Sequence, residues 1–289
     1  MPSWPRHRTT VSETQSRNAC VIGWPIGHSR SPIIHNYWLR QHGIAGEYRA
    51  EAVTPDAFPE FLKALTHRHY VGANVTLPHK KAALRLSLPD DRAEAVGAAN
   101  TLWFEGGALR STNTDVEGFL ANLDTAAAGW DRASDAVVLG AGGSARAVVF
   151  GLRERGITRI HVVNRTAERA VALRARFGEQ IRPASASDVP ALLAKAGLLV
   201  NTTSLGMRGP PPLVIDLAPL RSGAVVCDLV YAPLETELLR AARAAGHPTA
   251  DGLGMLLHQA VRGFSLWFGI RPSVTPELRT LIEADLAKT

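Results

Sequence analysis

Short apolar, often β-branched runs alternate along the chain with stretches of helical spacing. Runs at 18–23, 47–53, 70–76, 136–139, 160–163, 198–204 and 225–231 read as strands, with a last short one at 247–250. Helices are expected between them over 33–42, 55–65 and 116–127, from the turn after 140 to the break at Gly156, and over 167–177, 189–196 and 236–245. A hairpin spans 102–111, turning at Glu105-Gly106-Gly107, and two helices, 251–268 and 275–287, close the chain. Strand followed by helix, repeated on both sides of a break at Trp130-Asp131, predicts an α/β protein with parallel sheets in each half. No run approaches the roughly 18 apolar residues that a membrane-spanning helix needs.

The sharpest local signal is D-A-V-V-L-G-A-G-G-S-A-R-A at 135–147, where a strand runs directly into Gly140-x-Gly142-x-x-Ala145 and a helix. That is the strand-turn-helix setting of a dinucleotide site. The first glycine permits the tight turn, the second lets backbone amides approach a pyrophosphate, and the small third residue lets the helix pack on the sheet. The helix N-terminus adds partial positive charge. A glycine triplet alone is weak, so the second strand decides. It ends at Asn164-Arg165-Thr166, a little over 20 residues beyond Gly140, where an NAD binder would carry Asp or Glu for the ribose hydroxyl. Arg165 stands there instead, with Arg169 one helical turn on, a pair suited to a 2′-phosphate. The expected cofactor is therefore NADP, the bland alternative being two solvated arginines at a helix start.

Composition changes this picture little. At 289 residues the chain can hold two domains, and 46% hydrophobic with 20% charged residues is ordinary for a soluble globular protein. The net charge of +6 and pI of about 9.7 raise nucleic acid as a partner, but no aromatic-interleaved basic stripe supports it. Cys20 and Cys227 lie in apolar strand-like runs without metal or redox spacing and read as buried free thiols. Residues 1–17 are polar and basic, lack the apolar core of a secretory signal, and read as a disordered tail, with a transit peptide as the other reading.

Polar groups gather at strand ends and helix starts in the first half. Ser29 and Ser31 precede a helix opened by Pro32; they suit helix capping and carboxylate binding equally. Asn74-Val-Thr76 ends a strand and leads to Lys80, usually a surface residue, although a lysine at a helix start opposes the helix dipole. Asp115, after Thr112-Asn113-Thr114, reads from spacing alone as a helix cap, and Gln259 as a core amide on an apolar helix.

Taken together, G-W-P-I-G-H-S-R-S-P (23–32), N-V-T-L-P-H-K (74–80), A-N-T-L (99–102), N-T-D-V-E-G (113–118), G-A-G-G-S-A-R-A (140–147), N-R-T (164–166), N-T-T-S-L-G-M (201–207) and D-G-L-G-M-L-L-H-Q (251–259) resemble the shikimate dehydrogenase family in unbroken order. The resemblance implies an oxidoreductase that reversibly reduces 3-dehydroshikimate to shikimate with NADPH, a cytoplasmic step of aromatic amino-acid biosynthesis. It implies two α/β domains: a substrate-binding domain at 18–115 completed by 253–289, and a Rossmann-type NADP domain at 116–252. It assigns Lys80 and Asp115 as the catalytic pair. Ser29 and Ser31 would bind the substrate carboxylate, and Asn100, Asp115 and Gln259 its ring hydroxyls, with Thr76 and Tyr231 contributing. Gly140, Gly142, Gly143, Asn164, Arg165, Thr166 and Arg169 would hold NADP, with Gly254 and Met255 near the nicotinamide. No metal, nucleic acid or membrane is expected; a homodimer is the candidate assembly. The neighbouring readings are a quinate/shikimate dehydrogenase of broader substrate or cofactor use and a non-catalytic NADP-binding regulator.

Overall fold

The computed structural model describes residues 17–288, so the N-terminal stretch read as a tail lies, apart from Arg17, outside the described residues. The fold is built on two six-stranded sheets. The first holds β1 (Asn18–Gly23), β2 (Tyr48–Ala52), β3 (Tyr70–Val75), β4 (Leu88–Pro89), β5 (Thr101–Glu105) and β6 (Ala108–Thr112), in the order β2-β1-β3-β5-β6-β4. It is parallel except where β5 runs against β3 and β6, which is the predicted hairpin. The second holds β7 (Asp135–Leu139), β8 (Arg159–Val163), β9 (Ile181–Ala184), β10 (Leu198–Asn201), β11 (Val225–Asp228) and β12 (Thr249–Ala250), in the order β12-β11-β10-β7-β8-β9. All its pairings are parallel. This is the doubly wound order, with its switch point between β7 and β10.

The helices are α1 (Ser31–Gln41), α2 (Phe58–Lys63), α3 (Lys80–Arg85), α4 (Asp91–Val96), α5 (Asp115–Ala126), α6 (Gly143–Glu154), α7 (Ala167–Phe177), α8 (Val189–Leu193), α9 (Glu237–Ala244), α10 (Gly252–Phe268) and α11 (Pro276–Leu286). Central strands are largely apolar because helices cover both faces, and the two-residue period divides each strand between two cores. Ala19 and Val21 of β1 join Trp38, Phe264 and Trp267, while Cys20 and Ile22 join Phe58 and Leu65 on the other side. Ala136 and Val138 of β7 face Val148 and Leu152, and Val137 and Leu139 face Leu193 and Leu239.

Three elements escaped the pattern reading. α4 is short, but its signals are present: the Asp90 carboxylate accepts from the Ala93 amide, and Gly97 ends the helix at φ +74°. β4 is two residues long, and β9 carries Pro183, which a strand tolerates at a sheet edge.

The halves are joined by α5, which leaves the first sheet, and α10, which returns to it. Their crossing is close. A Cβ on Gly118 would lie 2.6 Å from the Gln259 Cβ, and one on Gly254 would lie 1.8 Å from Asn122 Oδ1. α10 then buries Leu257, Phe264 and Trp267 against α1, and the Trp267 indole N–H donates to the Leu102 carbonyl at 2.8 Å. A second tie is Arg176 of α7, whose guanidinium donates to the Glu94 and Ala95 carbonyls at the end of α4.

His35 of α1 is fully buried in the first core, its ring stacked 4.1 Å from that of Tyr48 at 11°. Burial pushes its imidazole down from 6.5 to about 3. Between those values the unfolded chain binds a proton that the native state does not, so this group makes stability fall as pH falls from 6.5 toward 3. The slope is about 1.4 kcal/mol per pH unit. His35→Phe should flatten the acid side of the stability profile, measured by urea unfolding between about pH 4 and 7. An unchanged slope would remove His35 as the source.

Candidate active site

A cavity of about 160 Å³ opens between the two sheets, beyond the carboxyl ends of β1 and β3. It gathers all the residues expected on the substrate side: Ser29, Ser31, Thr76, Lys80, Asn100, Asp115, Tyr231 and Gln259, with Met255 beside them. A larger hollow, about 230 Å³, lies at the amino ends of β7, β10 and β11 between Trp130 and Arg221, and holds none of these.

The centre of the cavity is an ion pair. Lys80 Nζ donates to Asp115 Oδ2 at 2.5 Å, and the side chains are only 13% and 9% exposed. Lys80 opens α3, so its position depends on the preceding residue. His79 stacks on Phe58 with ring centroids 4.3 Å apart, and its Nε2 lies 2.7 Å from the Val53 carbonyl. That carbonyl can only accept, so Nε2 carries the proton, and burial pushes the imidazole below its ordinary range. A neutral, stacked His79 thus anchors the turn that presents Lys80.

Asp115 corrects the reading from spacing. It is the first residue of α5 rather than its cap, and its carboxylate is taken up by side chains. Oδ1 accepts from Asn100 Nδ2 at 2.7 Å while Oδ2 takes the lysine. Negative charge at a helix N-terminus is favoured by the aligned peptide dipoles. The orientation of Asn100 follows from the Thr114 amide, which donates to its Oδ1 at 2.7 Å and leaves Nδ2 for the carboxylate. Gln259 lies within 3.4 Å of both Asn100 Nδ2 and Thr114 Oγ1. Ser29 and Ser31 both face the cavity, and the Ser29 hydroxyl also accepts from the Ser31 amide at the start of α1, at 3.4 Å. The loop after β11, with Leu229 and Tyr231, is braced by Asp228, which accepts from Asn201 Nδ2 and Thr236 Oγ1, both at 2.8 Å. Burial pushes the Asp228 carboxyl up, and it also pushes up the Tyr231 phenol, which stays a hydrogen-bond donor.

The glycine-rich turn sits at the switch point of the second sheet. Gly140 has φ +103°, and a Cβ there would fall 2.6 Å from Thr202 Oγ1 at the end of β10. Both the left-handed backbone and the neighbouring loop demand glycine. Ala145, in the first turn of α6, is fully buried. At Gly142 and Gly143 a Cβ would meet nothing within 4 Å, and α6 begins without a side-chain cap. That open cradle at a helix N-terminus fits a pyrophosphate. Asn164 braces it: Oδ1 accepts from the Ala141 amide at 3.1 Å, and Nδ2 donates to the Thr166 carbonyl. Thr166 precedes α7, also without a side-chain cap. Arg165 and Arg169 are exposed, and among the described residues neither guanidinium has an ion-pair partner. Two unpaired guanidiniums, one just after β8 and one in the first turn of α7, suit a 2′-phosphate, so the residues present fit NADP. Gly254 differs from its neighbour Met255. It does not line the cavity, and packing against Asn122 alone accounts for glycine there.

Nine lining residues were given no site role from the sequence, among them His28, Asn74, Ser144 and Leu229. Asn74 stood in a quoted motif at a strand end, which is where such sheets put ligand contacts. Ser144 follows the glycine turn. His28 and Leu229 carried no signal of their own. Among the described residues no cluster of His, Cys, Asp and Glu could hold a metal, and no helix is long and apolar enough to cross a membrane.

Comparison with known proteins gives a consistent result. Family models match at 21–102 (shikimate dehydrogenase substrate binding domain), 126–207 (shikimate/quinate 5-dehydrogenase) and 252–276 (shikimate 5′-dehydrogenase C-terminal domain). The NADP(+) shikimate dehydrogenase of Nitrobacter hamburgensis is 66% identical over 276 residues, covering 96% of this chain and 97% of that protein. The enzyme of the same name from Rhodopseudomonas palustris is 67% identical over 271 residues, covering 94% of this chain and 98% of its own. Among solved structures, the Thermus thermophilus shikimate 5-dehydrogenase in complex with NADP(H) and shikimate superposes with a TM-score of 0.82 at 36% identity, covering 94% of this chain and 99% of its own. The Corynebacterium glutamicum quinate dehydrogenase in complex with NAD gives 0.84 at 32% identity, covering 93% and 99%. With near-complete coverage at this identity, and the expected polar residues gathered in one cavity, the chain belongs to the shikimate dehydrogenase family.

Proposed function

We propose that the chain catalyses the reversible NADP-linked reduction of 3-dehydroshikimate to shikimate, a step of aromatic amino-acid biosynthesis. The observation that carries this reading is the Lys80–Asp115 pair, set in a small polar cavity between the first sheet and the nucleotide cradle. In this reading residues 18–115 with 253–289 form the substrate-binding unit and 116–252 the NADP unit. The free, buried Cys20 and Cys227 suit a reducing, cytoplasmic location.

NADPH, when bound, supplies the hydride. The chain's own task is to hold the ketone and manage charge and proton. The Ser29 and Ser31 hydroxyls donate to the substrate carboxylate and set which end of the ring lies deepest. Asn100, Asp115 and Gln259, with Thr76 and Tyr231, meet the ring hydroxyls. As the carbonyl oxygen gains negative charge, the Lys80 ammonium stabilises it and delivers a proton from Nζ. In the reverse direction the same nitrogen takes the proton from the alcohol. Asp115 holds Nζ in place. Arg165 and Arg169 clamp the 2′-phosphate, and Gly140, Gly142, Gly143, Asn164 and Thr166 shape the cradle.

Initial rates with shikimate and with quinate, each offered NADP and NAD, test the reading. Shikimate with NADP should be the productive pair. Comparable quinate or NAD rates would move the chain to a broader quinate/shikimate activity, the possibility raised by its likeness to a quinate dehydrogenase. Turnover with none of the four would overturn catalysis in favour of an NADP-binding regulator. Lys80→Ala should lower kcat about 10²- to 10⁴-fold with NADP affinity intact, the usual contribution of a positioned acid; an unchanged kcat would remove Lys80 from the chemistry. Arg165→Ala, best combined with Arg169→Ala, should raise the KM for NADP about tenfold or more and leave NAD kinetics unaltered, since charge-assisted phosphate contacts are the strong ones. Equal effects on both cofactors would dissociate these arginines from the 2′-phosphate.

A further inference from the structure

Tyr48 lies outside the cavity, is 1% exposed, and touches no residue assigned to catalysis. It is nevertheless held with unusual completeness. The Asn36 side chain of α1 clamps its backbone, Nδ2 donating to the Tyr48 carbonyl and Oδ1 accepting from the Tyr48 amide, both at 2.9 Å. The ring is packed between His35, stacked at 4.1 Å, and Trp267 at 5.8 Å. From β2 the phenol reaches across β1, where Ala19 lies abreast of it, to Asn74 on β3.

The hydrogen bonds beyond it run in one direction. Asn74 Nδ2 lies 3.3 Å from the Asn100 carbonyl, which can only accept, so the amide nitrogen is on that side and Oδ1 faces the phenol. The Tyr48 hydroxyl therefore donates to Asn74 Oδ1, at 2.6 Å. Asn74 Nδ2 donates to Thr101 Oγ1 at 3.0 Å. That hydroxyl, its acceptor side used, donates onward, where Asn100 Oδ1 and Thr114 Oγ1 both stand at 3.1 Å. Asn100 Nδ2 donates to Asp115 Oδ1 at 2.7 Å. Asp115 then receives donors on both oxygens, the other from Lys80. Aligned donors polarise one another, and in a buried setting each link strengthens the next.

We infer that Tyr48 is a positioning residue of the active site. It heads a buried chain through Asn74, Thr101 and Asn100 that, together with the Thr114 amide on Asn100 Oδ1, fixes the direction of the Asp115 carboxylate and, through it, of Lys80. This rests on the proposed roles of those last two residues. Burial keeps the phenol protonated, so the head of the chain is a permanent donor. A phenylalanine would fill the same space and stack equally well on His35; the hydroxyl is needed for Asn74. Without it, Asn74 Oδ1 loses its short buried donor, and relieves that cost by rotating away from Thr101.

The test compares Tyr48→Phe, Thr101→Val and the double variant in the assay that first shows shikimate turnover by the unaltered protein. Each single variant should lower kcat about tenfold or more, as misplaced catalytic groups do, with the KM for NADP unchanged. The double variant should be no worse than the weaker single, because both cut the same chain. A Tyr48→Phe protein of lower melting temperature but unchanged kcat, or losses that multiply in the double, would overturn the inference. Thr101→Val carries the same kcat criterion should Tyr48→Phe fail to fold. A readout independent of turnover separates this inference from the proposed function: the side-chain ¹⁵N–¹H resonances of Asn100, recorded without substrate, should shift in Tyr48→Phe. If they stay in place the chain is not coupled, whatever the enzyme catalyses.

Discussion

The close crossing of α5 on α10 is the constraint on which the rest depends. Two glycines set it: Gly118 lets Gln259 approach, and Gly254 lets Asn122 approach. Asn122 then donates to the Asp251 carbonyl at 2.7 Å, and the Asp251 carboxylate caps α10 through the Gly254 amide at 3.0 Å. Because α5 begins with Asp115 and α10 carries Met255 and Gln259, the same crossing delivers three cavity residues from distant parts of the chain. A methyl group at either glycine would push the helices apart or turn a buried amide, and overpacking of that kind costs about 1–3 kcal/mol. The site's geometry and the join between the sheets are one packing problem.

The second sheet contributes differently. Its strand order places the ends of β7 and β10 side by side, and the clash that any side chain at Gly140 would have with Thr202 expresses that adjacency. The cradle is therefore rigid on the protein side, with Asn164 bracing its backbone, and open on the solvent side at Gly142 and Gly143. A pre-formed anion site of this sort loses little entropy on binding, which is the general advantage of preorganisation.

How much of this was legible in the sequence follows from range. The glycine turn could be read because its meaning lies within one strand-turn-helix unit. The strands of the two cores could be read because burial on both faces leaves them mostly apolar, with buried polar residues such as Asn74, Asn201 and Asp228 near their ends. Asp115 was misread as a cap because spacing shows only its own helix; its partners Lys80 and Asn100 stand 35 and 15 residues away and meet it only after β3, β5 and β6 have paired. Only the resemblance of whole motifs gave it a catalytic role. The importance of Tyr48 was illegible for the same reason in stronger form. It lies 26 residues from Asn74 with a third strand between them, and an isolated tyrosine in a strand normally reports only β propensity. α4 was missed although its capping aspartate and terminal glycine were in view, because a single turn and a half offers too few positions for a period to emerge.

A lysine and a carboxylate so poorly exposed would be a liability in a sealed core, where the cost of desolvating two charges can exceed their attraction. Here neither is sealed. What exposure each retains opens on the cavity, and the remaining valences of Asp115 are taken by Asn100 rather than left empty. Lys80 has three N–H donors, of which Asp115 occupies one. The arrangement spends one donor on holding the ammonium still and leaves the others for whatever enters the cavity. A bound substrate that expels water lowers the local dielectric, and the ammonium's attraction for developing negative charge rises accordingly. The pair is tolerable without substrate and most effective with it, which is the electrostatic behaviour a proton-delivering site requires.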